Sequence, residues 1–326
     1  MTAQQITRFM HSRWVLILVA LALIPCAMVA WRIVPPDYIV GDRGLVFPSA
    51  NLWVADRQAA FWLNIGLTLS LAGLMIVLNR GFNLLRTMTL LDSSLFLLLS
   101  LSTPWLLVQF YTGTPLCLTL LLCLFLLYST YSRPYRRKRI FLLFFLLSAM
   151  TMTQYCYAVY IPVFILGCIQ MRVFSAKTVV ALLLGLITPW WIVLGGGLAT
   201  VADIHVPQFA DFIGSFNIVE NFGLLMSVVF SAVLLVVGWC LNFPKMIAYN
   251  AHMRAYNGTL SILALFTLLA VCIDFTNLAV YAPVLFMCSA FYLARMFAAN
   301  EGPKSYIAIL TIFMICILLY LWNIAV

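Results

Sequence analysis

This 326-residue chain carries only nine acids and eighteen basic residues, and four of them form two adjacent pairs, Asp42-Arg43 and Asp56-Arg57. A carboxylate beside a guanidinium suits two tasks at one site. The acid can act as general base or hold a divalent cation on a phosphate, while the guanidinium takes the charge of a departing phosphate. A second polar segment, 198–221, adds Asp203 and His205, with Asp211 and Glu220 and no basic residue. The competing reading is that all of these are solvated loop charges.

Other titratable residues carry less. Asp92 sits just inside an apolar run and is expected to cap the helix there, as Thr89 also could. Asp274, in Asp274-Phe275-Thr276-Asn277, reads as a turn residue. Three widely separated histidines give no ligand set of recognisable spacing, so no metal site is expected. A divalent cation shared between a loop carboxylate and a phosphate is the one cofactor the pattern would accommodate. The nine cysteines form no CxxC pair and fall almost entirely in apolar runs, which makes them packing residues. No Walker loop, GxSxG elbow, HExxH or Rossmann fingerprint occurs, which argues against ATP-driven pumping by this chain alone.

The elements that must position these residues are membrane helices. The chain is 65% hydrophobic and 8% charged, with a mean hydropathy of +1.09. No soluble domain has so little polar surface, and the long continuous apolar runs exclude a transmembrane barrel. The reading is an all-α polytopic membrane protein, one integral domain over 1–326, with about 11 transmembrane helices and outer loops at 32–57 and 198–221. A retained first helix is expected over about 14–31, and a third span from about Thr89 to Phe110. Two interfacial helices are expected, one from Pro207 to Val219 and one starting at Pro244.

Topology turns on the 32 uncharged residues from Ile140 to Met171, which follow the basic run Arg133–Arg139. One helix of that length would be about 48 Å long, against ~30 Å of hydrocarbon. Thr151, Thr153, Gln154 and Tyr155 interrupt it near the middle. As a short-helix hairpin at 140–171 it leaves 15 of the 18 basic residues on one side and seven of the nine acids on the other. A single crossing would scatter the basic residues, so the positive-inside rule selects the hairpin. Its short limbs place the turn below the outer interface, where polar backbone must be buried in protein or line a wet cavity. Gln154 and Tyr155 therefore join the candidate binding residues, and both possibilities stay open.

The stretch Tyr131–Met171 runs from a basic segment through an apolar helix and a small-polar middle to Tyr157-x-x-Tyr160-x-Pro162. Together with the first helix and the acid-bearing first loop, it resembles the C-type membrane glycosyltransferases. The segments Asn79–Pro104 and Arg133–Pro189 are more similar still to multi-span envelope proteins of Bacteroidota that share a domain of unknown function. The glycosyltransferase resemblance implies a sugar or glycan taken from a polyprenyl-phosphate donor at the outer face. That class typically shows paired acids soon after the first helix, whereas here Asp37 and Asp42 stand five residues apart. Asp42, beside Arg43 and between Gly41 and Gly44, is the better counterpart.

The resulting expectation is a glycosyltransferase-like protein handling a polyprenyl-linked glycan. Asp42 or Asp56 would be catalytic, with Arg43, Arg57, Asp203, His205, Gln154 and Tyr155 binding substrate. A non-catalytic membrane subunit of an envelope-assembly complex is the alternative, and a lipid or small-solute carrier is a third. Expected partners are membrane lipids, a polyprenyl-phosphate-linked sugar and other envelope proteins, and not nucleic acid. The expected location is a bacterial inner membrane, with the N-terminus cytoplasmic and the C-terminus periplasmic.

Overall fold

The computed structural model describes residues 12–33, 44–85, 89–131, 136–205, 221–247, 249–298 and 303–325. Among them are twelve α-helices: α1 Arg13–Ile33, α2 Arg57–Phe82, α3 Leu91–Leu101, α4 Pro104–Val108, α5 Gly113–Tyr128, α6 Arg136–Thr151, α7 Ile161–Gln170, α8 Ala176–Gly195, α9 Phe222–Ile247, α10 Ala251–Ile273, α11 Leu278–Ala298 and α12 Pro303–Ala325. No strand occurs among the described residues. Seven helices (α1, α2 and α8–α12) are long and apolar enough to cross a membrane. Three shorter apolar helical stretches, α3, α5 and Tyr155–Gln170, lie between α2 and α8 in the chain. This is an all-α polytopic membrane fold.

At the centre lies α11, which packs against α3, α5, α9 and α10 and buries all but three of its 21 residues. It is also the least apolar of the seven long helices. The two facts share a cause: a helix facing protein all round can hold polar groups if neighbours satisfy them. Ser289 Oγ donates to Ser231 O at 2.9 Å, Asn242 Nδ2 to Tyr292 O at 2.9 Å, and the Ser261 and Tyr292 hydroxyls meet at 2.6 Å. Gly238 on α9 lets the two backbones approach, since a Cβ there would stand 3.1 Å from Tyr292 Cβ.

Where the sequence suggested one continuous third span, the structure has a break at Ser102–Thr103 between α3 and α4. Pro104 lacks an N–H, so carbonyls of the preceding turn lose their helical donor. The Ser102 and Thr103 hydroxyls instead donate to Leu99 O and Ser100 O. Ser102 O in turn accepts from Asn323 Nδ2 at 2.8 Å and Ser227 Oγ at 3.2 Å, tying α12 and α9 to the break. On the far side, Asn64 Nδ2 satisfies Leu106 O and Leu107 O at 2.7 and 3.1 Å. Irregular backbone at membrane depth survives here because protein side chains complete it.

The hairpin is present as α6, a 3-10 turn over Tyr155–Tyr160, and α7. Its first limb lies along α8, where Gly185 permits close contact: a Cβ would stand 2.7 Å from Phe141 O. Two expectations fail. No separate interfacial helix starts at Pro244, because α9 continues through that proline to Ile247. Asp92 is not a helix cap: Leu90 holds that position, and Asp92 lies fully buried in the first turn. The segment 207–219 lies outside the described residues.

Candidate functional site at the loop face

One end of the bundle gathers both polar loops and the hairpin turn, and is called here the loop face. The hairpin breaks after Thr151, leaving Met152 O without a helical donor. Val46 N and Phe47 N of the first loop donate to it at 2.8 and 3.1 Å. Gly44 is pressed against the same turn, where a Cβ would overlap Phe47 O and stand 2.6 Å from Thr153 O. The second loop joins them through His205 N, which donates to Leu45 O at 2.9 Å. Thr112, in the turn before α5, is held by Asn51 Oδ1 at 3.0 Å. Four segments distant in sequence thus meet at one end.

Of the two possibilities for the hairpin turn, the structure shows the covered one. Thr153 and Gln154 are 8% and 2% exposed beneath the residues 44–47. Gln154 Nε2 donates to Asn277 Oδ1 at 3.1 Å, while its Oε1 is buried without a partner. Tyr155 donates its hydroxyl proton to Asp274 Oδ2 at 2.8 Å.

Asp274 is the centre of this cluster, a role its sequence context did not reveal. It caps the C-terminal end of α10 and precedes α11, where the N-terminal dipole of that helix favours a carboxylate. Besides Tyr155, it accepts from the Tyr281 hydroxyl at 3.1 Å, the Thr276 hydroxyl at 2.9 Å and Asn277 Nδ2 at 3.1 Å. No cation pairs with it among the described residues. With both oxygens engaged and 4% of its surface exposed, Asp274 fastens the α10–α11 turn to the hairpin and is not a free base. The signal that could have found it is the chemistry of its neighbours, because a turn aspartate flanked by Asn277 and Tyr281 at helical spacing presents several donors to one side.

The other predicted site residues are dispersed over the same face. Asp56 caps α2, accepting from Gln58 N and Ala59 N at 3.4 and 3.0 Å. Arg57 Nη2 donates to Trp31 O at 3.1 Å, and its guanidinium lies 5.1 Å from the centroid of the Trp31 ring. Exposed Asp203 accepts from Thr200 N at 2.8 Å and the Thr200 hydroxyl at 2.7 Å, and these bonds hold its pKa below the usual carboxylate value. The His205 side chain is exposed near it. Asp42 and Arg43 lie outside the described residues. Among the described residues, no three His, Cys, Asp or Glu side chains converge as a metal site would require.

No protein-family model matches this chain, and no curated protein or solved structure matches it significantly.

Proposed function

We propose that this chain handles a polyprenyl-linked glycan or sugar at its loop face, in the manner of a membrane glycosyltransferase. The observation supporting the reading is the docking of Gly44–Phe47 onto the hairpin turn, with His205 tying in the second loop. Asp42 is joined to Gly44 by two peptide links, which reach about 7 Å at most. A carboxylate so tethered, with Arg43 beside it, would serve as base or cation ligand for a phosphate-linked substrate. A divalent cation would be held between that acid and the donor phosphate. The basic residues cluster in the other connections of the sequence, which by the positive-inside rule would face the cytoplasm of a bacterial inner membrane and leave the loop face periplasmic.

The test is substitution of Asp42 by Asn in protein whose amount and melting temperature are unchanged. Loss of transfer from a polyprenyl-phosphate donor is the expected result; full activity overturns the assignment.

A second reading, a non-catalytic subunit of an envelope complex, is favoured by a different observation. The loop-face acids among the described residues are engaged in structural bonds: Asp56 as a cap, Asp203 on Thr200 and Asp274 in the cluster. A stoichiometric partner co-purifying with both the wild type and Asp42→Asn, with no transfer activity in either, would establish it.

A further inference from the structure

Two basic residues, Arg32 and Arg57, stand at the loop face against the general charge pattern, and they flank a pocket. The pocket lies between the loop-face ends of α1 and α2. It has a volume of about 160 Å³ and is lined by Met28, Trp31, Arg32, Gln58, Phe61 and Trp62. At about 30 Å³ of liquid volume per water, that is room for roughly five waters.

We propose that this pocket binds the phosphate of a membrane lipid, with Arg32 as its principal ligand and the lipid chain lying in the cleft between α1 and α2.

The lining has the polarity such a ligand needs. Its inner wall is aromatic: the buried Phe61 ring lies 6.0 Å from that of Trp31, centroid to centroid, and meets Trp62, nearer the mouth, edge-on at 5.2 Å. Tryptophan rings favour the depth at which headgroups meet hydrocarbon. The polar rim is Arg32 and Gln58, both exposed. Arg32 has no hydrogen-bond or ionic partner among the described residues, although a planar guanidinium is suited to bidentate phosphate contact. Its place in the last turn of α1 complements the helix dipole, but that accounts for a charge and not for a pocket beside it.

The surrounding charges favour an anion. Arg57 adds a second cation behind the Trp31 ring. The nearest described acid, Asp56, turns its carboxylate onto the amides of Gln58 and Ala59. Along its length α1 packs mainly on α3 and α4 and little on α2, so the space between α1 and α2 is not closed by contact of the two helices. Met28 and Trp62 are exposed at its mouth, and Leu21 and Leu18 continue the apolar track along α1. A phosphate at Arg32 would thus have its chain on protein without leaving the membrane.

The inference does not depend on glycan transfer, because a phospholipid and a polyprenyl phosphate present the same group. Native mass spectrometry of the full chain in detergent, titrated separately with phosphatidylglycerol, decaprenyl monophosphate and dioleoylglycerol, tests it. One tightly retained phosphate lipid is expected, with dioleoylglycerol held roughly tenfold or more weakly, as loss of a charged hydrogen bond implies. Arg32→Gln is expected to remove that difference and Arg32→Lys to keep part of it, with melting temperatures unchanged. Retention of phosphatidylglycerol alone, of the polyprenyl phosphate alone, or of both supports the site and identifies its lipid. Equal retention of dioleoylglycerol, or a preference untouched by Arg32→Gln, overturns it. Transfer activity is read separately in Asp42→Asn, so the two readings fail independently.

Discussion

Tyr155 and Asp274 are 119 residues apart in the sequence, yet the tyrosine hydroxyl donates to the carboxylate at 2.8 Å. The bond joins the turn of the hairpin to the turn between α10 and α11. Hydrogen bonds to charged groups contribute about 1.5–3 kcal/mol, and removing an acceptor from buried donors costs more than removing one donor. Tyr155→Phe is therefore expected to destabilise by about 1–3 kcal/mol. Asp274→Ala, which strands the Tyr155, Tyr281, Thr276 and Asn277 donors together, should cost more than that. Thermal unfolding in detergent measures both. A double-mutant cycle between Tyr155→Phe and Asp274→Asn should return a clear coupling energy, and additive effects would show that the two turns are held by something else.

Gly44 fixes the first loop to the same hairpin. A methyl group there would overlap Phe47 O and stand 2.6 Å from Thr153 O, both backbone atoms that cannot swing aside. Gly44→Ala is expected to lift residues 44–47 from Met152 O and to expose Gln154. The readout is labelling of Gln154→Cys by a membrane-impermeant thiol reagent. It should be slow with Gly44 present and fast in the Gly44→Ala background. Trp53→Cys, at an exposed position on the same loop, should label readily in both.

Helix class, the hairpin and the gathering of polar loops at one end were legible in the sequence, because each rests on hydropathy or on where basic residues fall. The chemistry at that end was less so. Asp56 beside Arg57 looks like a functional pair on paper. In space the acid caps α2, and the arginine reaches back to Trp31 O, because helix termini compete for the same side chains that catalysis would use. Asp274 was hidden for the opposite reason. Its partners Tyr155 and Tyr281 are ordinary aromatic residues in apolar runs, and only tertiary packing aims their hydroxyls at one carboxylate. The break at Ser102–Pro104 was masked by the apolar residues on both sides, though the Ser-Thr-Pro triplet carries the physical signal for it.

The Asp203 turn gives a pH dependence with a definite sign. Bonds from Thr200 favour the charged carboxylate, so its folded pKa lies below the unfolded value of about 3.9. The support this gives to the turn is complete above the unfolded value and is lost as pH falls through the lower folded one. Carboxyl carbon shifts of isotope-labelled Asp203 should titrate below the ordinary aspartate range. Thr200→Val, which removes the hydroxyl donor, should move the midpoint upward, and an unchanged midpoint would refute this account.

At the opposite face, Asp92 presents the reverse situation. It is fully buried, and neither carboxylate oxygen has a hydrogen-bond partner of good geometry. The nearby backbone N–H of Ser93 and the helix N-terminus favour an anion, but burial of an unpaired carboxylate is costly. Arg295, on the neighbouring α11, is also buried, with Nη2 donating to Leu84 O at 3.0 Å and Nε and Nη1 unpartnered. The two residues differ in what truncation removes. Arg295→Met takes away a bond that closes the chain after α2 and should destabilise by about 2 kcal/mol or more. Asp92→Asn removes a desolvated charge while keeping the side-chain shape, so it should raise stability by ~1 kcal/mol or leave it unchanged. Unfolding of the two variants in the same detergent decides this. A stable Asp92→Asn protein that has lost its cellular phenotype would mean that the carboxylate is kept for function at a cost in stability; a markedly destabilised one would mean that the acid is part of the packing of α3.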